Sequence, residues 1–221
     1  MTIVLDPGGF RSELLIRQAY EEESLTCPDI DERRSPTMLL FPRSYVDAVN
    51  ALPSQKRHDF CFVGGLYRPE TFEQRRWILD YARRRFTDRS YLLLTDGANR
   101  HARLGAFDHT GVEPDVFIPK EVAPADRAFF HAHYFEVLRR SELTLCPAGD
   151  LPWSMRFFEA IMCRSIPIIS DLAHAGRNDL ERSIGYQVLL CDDEPIFDPA
   201  VAEHNYRLFI RYQTLLDDRH A

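Results

Sequence analysis

Arg156 and Glu159 stand three residues apart, Ser154 precedes them, and a loop punctuated by Pro147, Gly149 and Pro152 leads into the trio. On a helix starting near Trp153 or Ser154, this spacing puts the guanidinium in the first turn. The carboxyl then lies one turn deeper on roughly the same face. A helix start leaves backbone N–H groups unpaired and carries partial positive charge, which suits a phosphate or diphosphate. Ser154 is fitted to cap that helix or to hydrogen-bond the ligand itself. A cation in the first turn opposes the helix dipole, so Arg156 makes most sense beside a bound anion, whose phosphate oxygens its fork matches. Glu159, flanked by Phe157, Phe158 and Ala160, is expected at the edge of the core. There its carboxylate can accept two hydrogen bonds from a ribose diol. The plainer alternative is an Arg156–Glu159 helical ion pair with no function.

Other reactive side chains are less well placed. His131 and His133 are two apart on an expected helix and face different ways, so they do not chelate a metal as an i, i+4 pair would. His101, His109 and His174 fall in expected loops near strand ends. His174, just after Ser170-Asp171, is the best placed of them as a general base, with Asp96 as a second candidate. The dinucleotide, ATP-hydrolase and nucleophile-elbow fingerprints are all missing, which argues against nicotinamide, P-loop and hydrolase chemistry. The five cysteines are widely spaced without a Cys-x-x-Cys pair. They read as small buried thiols, neither a disulfide framework nor a zinc site.

Short apolar runs and helical periodicities alternate from residue 57 onward. Strands are expected at 60–63, 91–94, 116–118, 143–146, 166–169 and 188–191. Helices are expected at 72–86, 127–139, 154–163 and 200–216. Strands apolar on both faces that alternate with helices imply a parallel sheet with right-handed crossovers, a Rossmann-like doubly wound α/β domain. Such sheets bind ligands beyond the carboxyl ends of their strands, which directs attention to the turns after Val63, Leu94, Cys146 and Ile169. The first 55 residues differ in texture. A strand at 1–5, a weak helix at 12–20, polar stretches and an apolar run at 38–41 closed by Pro42 suggest a short N-terminal lobe. The expected division is therefore 1–55 and 56–221.

The chain of 221 residues, 45 % hydrophobic with fifteen phenylalanines, is large enough for one ordinary globular core. A net charge of −7 gives no basic field for nucleic acid. The arginine run at Arg83, Arg84 and Arg85 reads as a solvated helix face. No stretch approaches the roughly 20 apolar residues of a membrane span, and the first residues lack the marks of a signal peptide. A cytoplasmic location is expected, or a peripheral one at the inner face of a membrane.

The runs Cys146-Pro-Ala-Gly-Asp150, Trp153-Ser-Met-Arg-Phe-Phe-Glu-Ala160 and Ile166-Pro-Ile-Ile-Ser-Asp171 resemble the C-terminal signature of exostosin-type (GT47-like) glycosyltransferases. Tyr134-Phe-Glu-Val-Leu-Arg-Arg-Ser141 resembles the segment leading into the same strand. Asp59-Phe-Cys-Phe-Val-Gly-Gly65 resembles the first strand and turn of the family's donor-binding half. The likeness implies a GT-B donor domain that transfers a sugar, usually with inversion and without an obligatory metal or other cofactor. Its donor would be a UDP- or GDP-linked nucleotide sugar, and its acceptor a glycan or a lipid-linked glycan. By motif position, Ser154 and Arg156 would face the diphosphate and Glu159 the ribose. Gly64 and Gly65 would approach the diphosphate from the opposite side, with Arg68, Pro147 and Gly149 nearby as substrate-binding residues. Arg156 would stabilise the leaving group, and His174 or Asp96 would be the base. Two departures stand out. The family commonly has a glycine shortly after Glu-Ala, where this chain has Cys163-Arg164-Ser165. The 55 N-terminal residues are also too few for a full acceptor domain, which implies a reduced one or one supplied by a partner chain or a membrane surface. The competing reading is a non-catalytic module, derived from such a donor domain, that binds a nucleotide sugar or a partner.

Overall fold

The computed structural model describes residues 41–66, 72–94, 132–148, 154–171 and 184–215. Five strands form one parallel sheet: β2 (His58–Gly64), β3 (Tyr91–Leu94), β4 (Ser141–Leu145), β5 (Ile166–Ile169) and β6 (Leu189–Leu190). Their spatial order is β3-β2-β4-β5-β6. Every neighbouring pair is parallel, as expected of strands with apolar residues on both faces. Alternate strand residues point to opposite sides of the sheet. Phe60, Phe62, Leu92, Leu94, Leu143, Leu145, Ile166 and Ile168 pack against Ile78, Tyr81 and Ala82 of α3 (Trp77–Arg85). Cys61, Val63, Tyr91, Leu93 and Ile169 lie in a second core. It is shared with α4 (Ala132–Arg139), α5 (Met155–Met162) and Phe209 of α6 (Pro199–Tyr212). The fold is the Rossmann-like α/β sheet anticipated.

Along the chain, β3 is laid outside β2 while β4 is laid on its other side. The strand order therefore reverses between β2 and β4, which is where open α/β sheets bind ligands. Of the four turns singled out in the sequence, those after Val63 and Cys146 flank this point.

Several elements differ from expectation. The helix expected at 72–86 is two pieces, α2 (Phe72–Arg75) and α3, with Arg76 between them. Arg76 keeps helical dihedrals (φ −56°, ψ −30°), so the break is in hydrogen bonding and not in direction. The final helix stops at Tyr212, short of residue 216. Buried Gln213 follows, and Thr214–Leu215 (β7) pairs in parallel with Phe41–Pro42 (β1). The Gln213 carbonyl accepts the Phe41 N–H at 2.8 Å, so tertiary pairing overrides the continued helical pattern. At its start α6 conforms to rule: Asp198 accepts from the Ala200 N–H at 2.8 Å, and Pro199 takes the first turn. An unexpected helix, α1 (Arg43–Asn50), precedes β2. Its Tyr45, Val46 and Val49, with Phe41, are buried in the second core. β1 and α1 thus belong to that core although they lie on the N-terminal side of the division expected near residue 55. The expected strands at 1–5 and 116–118 and the helix at 12–20 lie outside the described residues. Among the described residues no helix is long and apolar enough to cross a membrane.

Candidate active site

β2 ends at Gly64, whose φ of +157° is a conformation side-chain-bearing residues rarely adopt. A Cβ at this position would collide with Nη2 of Arg156 and stand 3.2 Å from its Cζ. The absent side chain is therefore the space that the guanidinium fills. Below it lies the ring of Phe62, with its centroid 4.9 Å from Arg156 Cζ, a cation–π contact. The first turn of α5 and the carboxyl end of β2 thus meet across the reversal point.

The loops on either side of that point are tied together by Arg75, the last residue of α2. Its Nε donates to the Ala148 carbonyl at 3.0 Å and its Nη1 to the Gly65 carbonyl at 2.8 Å. One planar fork therefore spans the turn after β2 and the loop after β4, fixing the width between them.

Ser154 stands at the N-cap of α5 with extended dihedrals (φ −120°, ψ 161°), but its hydroxyl makes no capping bond. The Ser154 Oγ and the Arg156 Nε are both buried and, among the described residues, without a hydrogen-bond partner. Two unpaired polar atoms beside a helix start are costly unless something arrives to satisfy them. Arg156 and Glu159, expected as a helical ion pair in the plainer reading, do not pair among the described residues. Glu159 Oε2 instead accepts a 2.5 Å hydrogen bond from the hydroxyl of Tyr134 on α4.

Burial pushes the Glu159 carboxyl above its usual range, outweighing the Tyr134 hydrogen bond and the Arg156 charge, which both act to lower it. For Arg156 burial works downward, but Tyr134, Cys146 and Glu159 together hold the guanidinium above its ordinary value, so it stays charged. Burial pushes the Cys146 thiol well up, so this residue, whose Sγ reaches the Arg156 carbonyl at 3.6 Å, is a neutral packing group.

The structure brings Gly64, Gly65, Ser154, Arg156 and Glu159 around the β2–β4 reversal, with buried Pro147 on the loop after β4. Arg68, Asp96, Gly149 and His174 lie outside the described residues, as does His131. Among the described residues no three His, Cys, Asp or Glu side chains gather as a metal site. Sequence reasoning passed over Arg75 and Tyr134. In the sequence Tyr134 stands out only as the first residue of the Tyr134–Ser141 segment that carries the family resemblance. The signal that points to it is that a tyrosine on a largely apolar helix needs a partner for its hydroxyl.

Neither a curated protein nor a solved structure matches the chain. The Exostosin GT47 domain matches residues 67–194, more than half of the sequence. That span takes in α2, Tyr134 and the whole Cys146–Asp171 signature. Of the segments that carry the resemblance, only β2 and its Gly64-Gly65 turn fall before the matched span. Sheet topology, signature and domain match agree, and the chain belongs to the exostosin GT47 family of glycosyltransferases.

Proposed function

We propose that this chain is an enzyme that transfers a sugar, with inversion, from a UDP- or GDP-linked donor to a glycan or lipid-linked acceptor. The donor diphosphate would lie between the Gly64-Gly65 turn and the first turn of α5. The observation that carries this reading is the placement of Arg156, charged and lodged over Gly64 at the strand-order reversal. Its Nε and the neighbouring Ser154 hydroxyl are buried and unpaired among the described residues. A diphosphate supplies acceptor oxygens for both groups and meets the unpaired N–H groups of the helix start. Glu159 lies one turn deeper, where a ribose diol would reach it.

Chemistry in this arrangement is leaving-group stabilisation. Negative charge grows on the departing diphosphate as the glycosidic bond breaks. A guanidinium already fixed by Phe62 and the Gly64 backbone then needs no reorganisation to meet it. Asp96 and His174 remain the candidate bases for the acceptor hydroxyl.

Calorimetry with UDP and GDP, followed by transfer or donor-hydrolysis assays with the matching nucleotide sugars, tests the reading. Arg156→Ala is expected to cut turnover by about two to three orders of magnitude, the loss of one preorganised charge stabiliser. Near-wild-type turnover in that variant would remove Arg156 from the mechanism. Nucleotide binding without turnover on any acceptor would favour a non-catalytic module, and uptake of inorganic phosphate but of no nucleotide would point to different phosphate chemistry.

A further inference from the structure

A carboxylate three residues after an arginine on one helix ordinarily relaxes into an ion pair with it. In this protein no ion pair forms between them, although each still feels the other's charge and the Tyr134 hydroxyl acts on both. The Glu159 carboxyl is turned to the Tyr134 hydroxyl at 2.5 Å, while Arg156 occupies the space over Gly64. Tyr134 comes from a different helix, α4, and its ring meets that of Phe135 edge-on with centroids 5.0 Å apart. From this geometry we infer that Tyr134 is a positioning residue for donor binding: it holds the Glu159 carboxylate away from Arg156 and aims it at the ribose of the incoming nucleotide. This rests on the donor-site reading above and names the group that keeps its two charged residues separately available.

The surroundings of Glu159 make the role testable by pH. Arg156 and Cys163 face it from its own helix, Tyr134 from α4, Tyr45 from α1, and Cys146 from the loop after β4. Burial pushes both tyrosines and both thiols up, so at neutral pH only Arg156 carries charge beside it. A ribose diol donates to the ionised carboxylate, so nucleotide binding weakens as pH falls through the Glu159 pKa. The Tyr134 hydrogen bond lowers that pKa. Removing the hydroxyl therefore raises it and moves the loss of binding to higher pH.

The experiment measures binding of UDP or GDP, whichever the wild-type protein takes up, and of its 2′,3′-dideoxy counterpart. The variants are Tyr134→Phe, Glu159→Gln and the double substitution, each checked for a cooperative thermal transition. Tyr134→Phe is expected to weaken ribonucleotide binding about tenfold, leave the dideoxy form nearly unchanged, and shift the pH profile upward. In the Glu159→Gln background it is expected to add little, because the tyrosine acts through that carboxylate. If the ribose preference and the pH profile are both unmoved in Tyr134→Phe, or if its effect is additive with Glu159→Gln, the inference is overturned while the donor site stands. Should Tyr134→Phe not fold, Tyr134→Leu takes its place, and the same outcomes for ribose preference and pH profile decide. Failure of the wild-type protein to bind either nucleotide would overturn the donor reading, and the role of Tyr134 with it.

Discussion

Arg164 lies in the Cys163-Arg164-Ser165 turn, the stretch without the glycine that the resemblance leads one to expect shortly after Glu-Ala, and its own backbone takes a conformation that glycine favours. After α5 the Ser165 N–H bonds the Ala160 carbonyl and the Arg164 N–H bonds the Ile161 carbonyl, both at 2.9 Å, the pattern of a Schellman stop. That motif requires left-handed dihedrals at residue 164, and Arg164 adopts them with φ +53°. The side chain compensates. Its Nε meets Glu203 at 2.9 Å, its Nη1 donates to Asn50 Oδ1 at 3.1 Å, and its guanidinium lies 3.4 Å from the Tyr206 ring centroid. One residue thereby links α5 to α1 and α6. Arg164→Ala keeps the backbone strain and loses the links, whereas Arg164→Gly loses the links but relieves the strain. Both should destabilise, and Ala by about 1 kcal/mol more than Gly in urea denaturation, the cost of a left-handed L-residue. Equal values for the two would mean that the turn is unstrained.

Among the elements, α2 is four residues long, yet it governs the crevice through Arg75. Arg75→Met removes the bonds to the Gly65 and Ala148 carbonyls. It is expected to cost about 1–3 kcal/mol in chemical denaturation and to weaken nucleotide binding measured by calorimetry. A variant that loses stability but binds nucleotide like wild type would show that the crevice keeps its width without the fork. The strands were legible because short, mostly apolar runs such as 60–63, 91–94 and 166–169 are too brief for a helix and are bounded by turn residues. The helix α5 and its polar trio were legible from spacing. What could not be read was adjacency. That Gly64 lies against Arg156, or Arg75 across two loops, follows from β4 being laid beside β2, a pairing no local pattern specifies. β7 escaped for a related reason, since residues 213–216 continue a helical periodicity and only the partner strand diverts them. α1 was legible in principle, as Tyr45, Val46 and Val49 have helical spacing, but Pro42 and the polar residues around it masked the pattern.

For the molecule as a whole, the two faces of the sheet are covered by cores of different provenance. One draws on Ile78, Tyr81 and Ala82 of α3. The other needs Phe41, Tyr45, Val46 and Val49 from before β2. Each of these larger side chains contributes roughly 1.5–3 kcal/mol by burial, which together rivals the 5–15 kcal/mol stability typical of a whole domain. A chain starting at residue 56 is therefore expected to lack the cooperative thermal transition of the full chain, followed by circular dichroism. A sharp, unshifted melt would mean that the sheet and its remaining helices suffice.

The ribbon formed by β1 and β7 has a mechanical consequence. Phe41 and Thr214 are paired, and both strands run the same way. Tension applied to the polypeptide on the near side of residue 41 and the far side of residue 215 would make the two strands slide past each other instead of peeling open. All their bonds would be strained together. The ribbon is only two residues long, so its rupture would free β1 and β7 in a single step and pass the load to Phe41, Tyr45 and Phe209, which are buried in the core behind it.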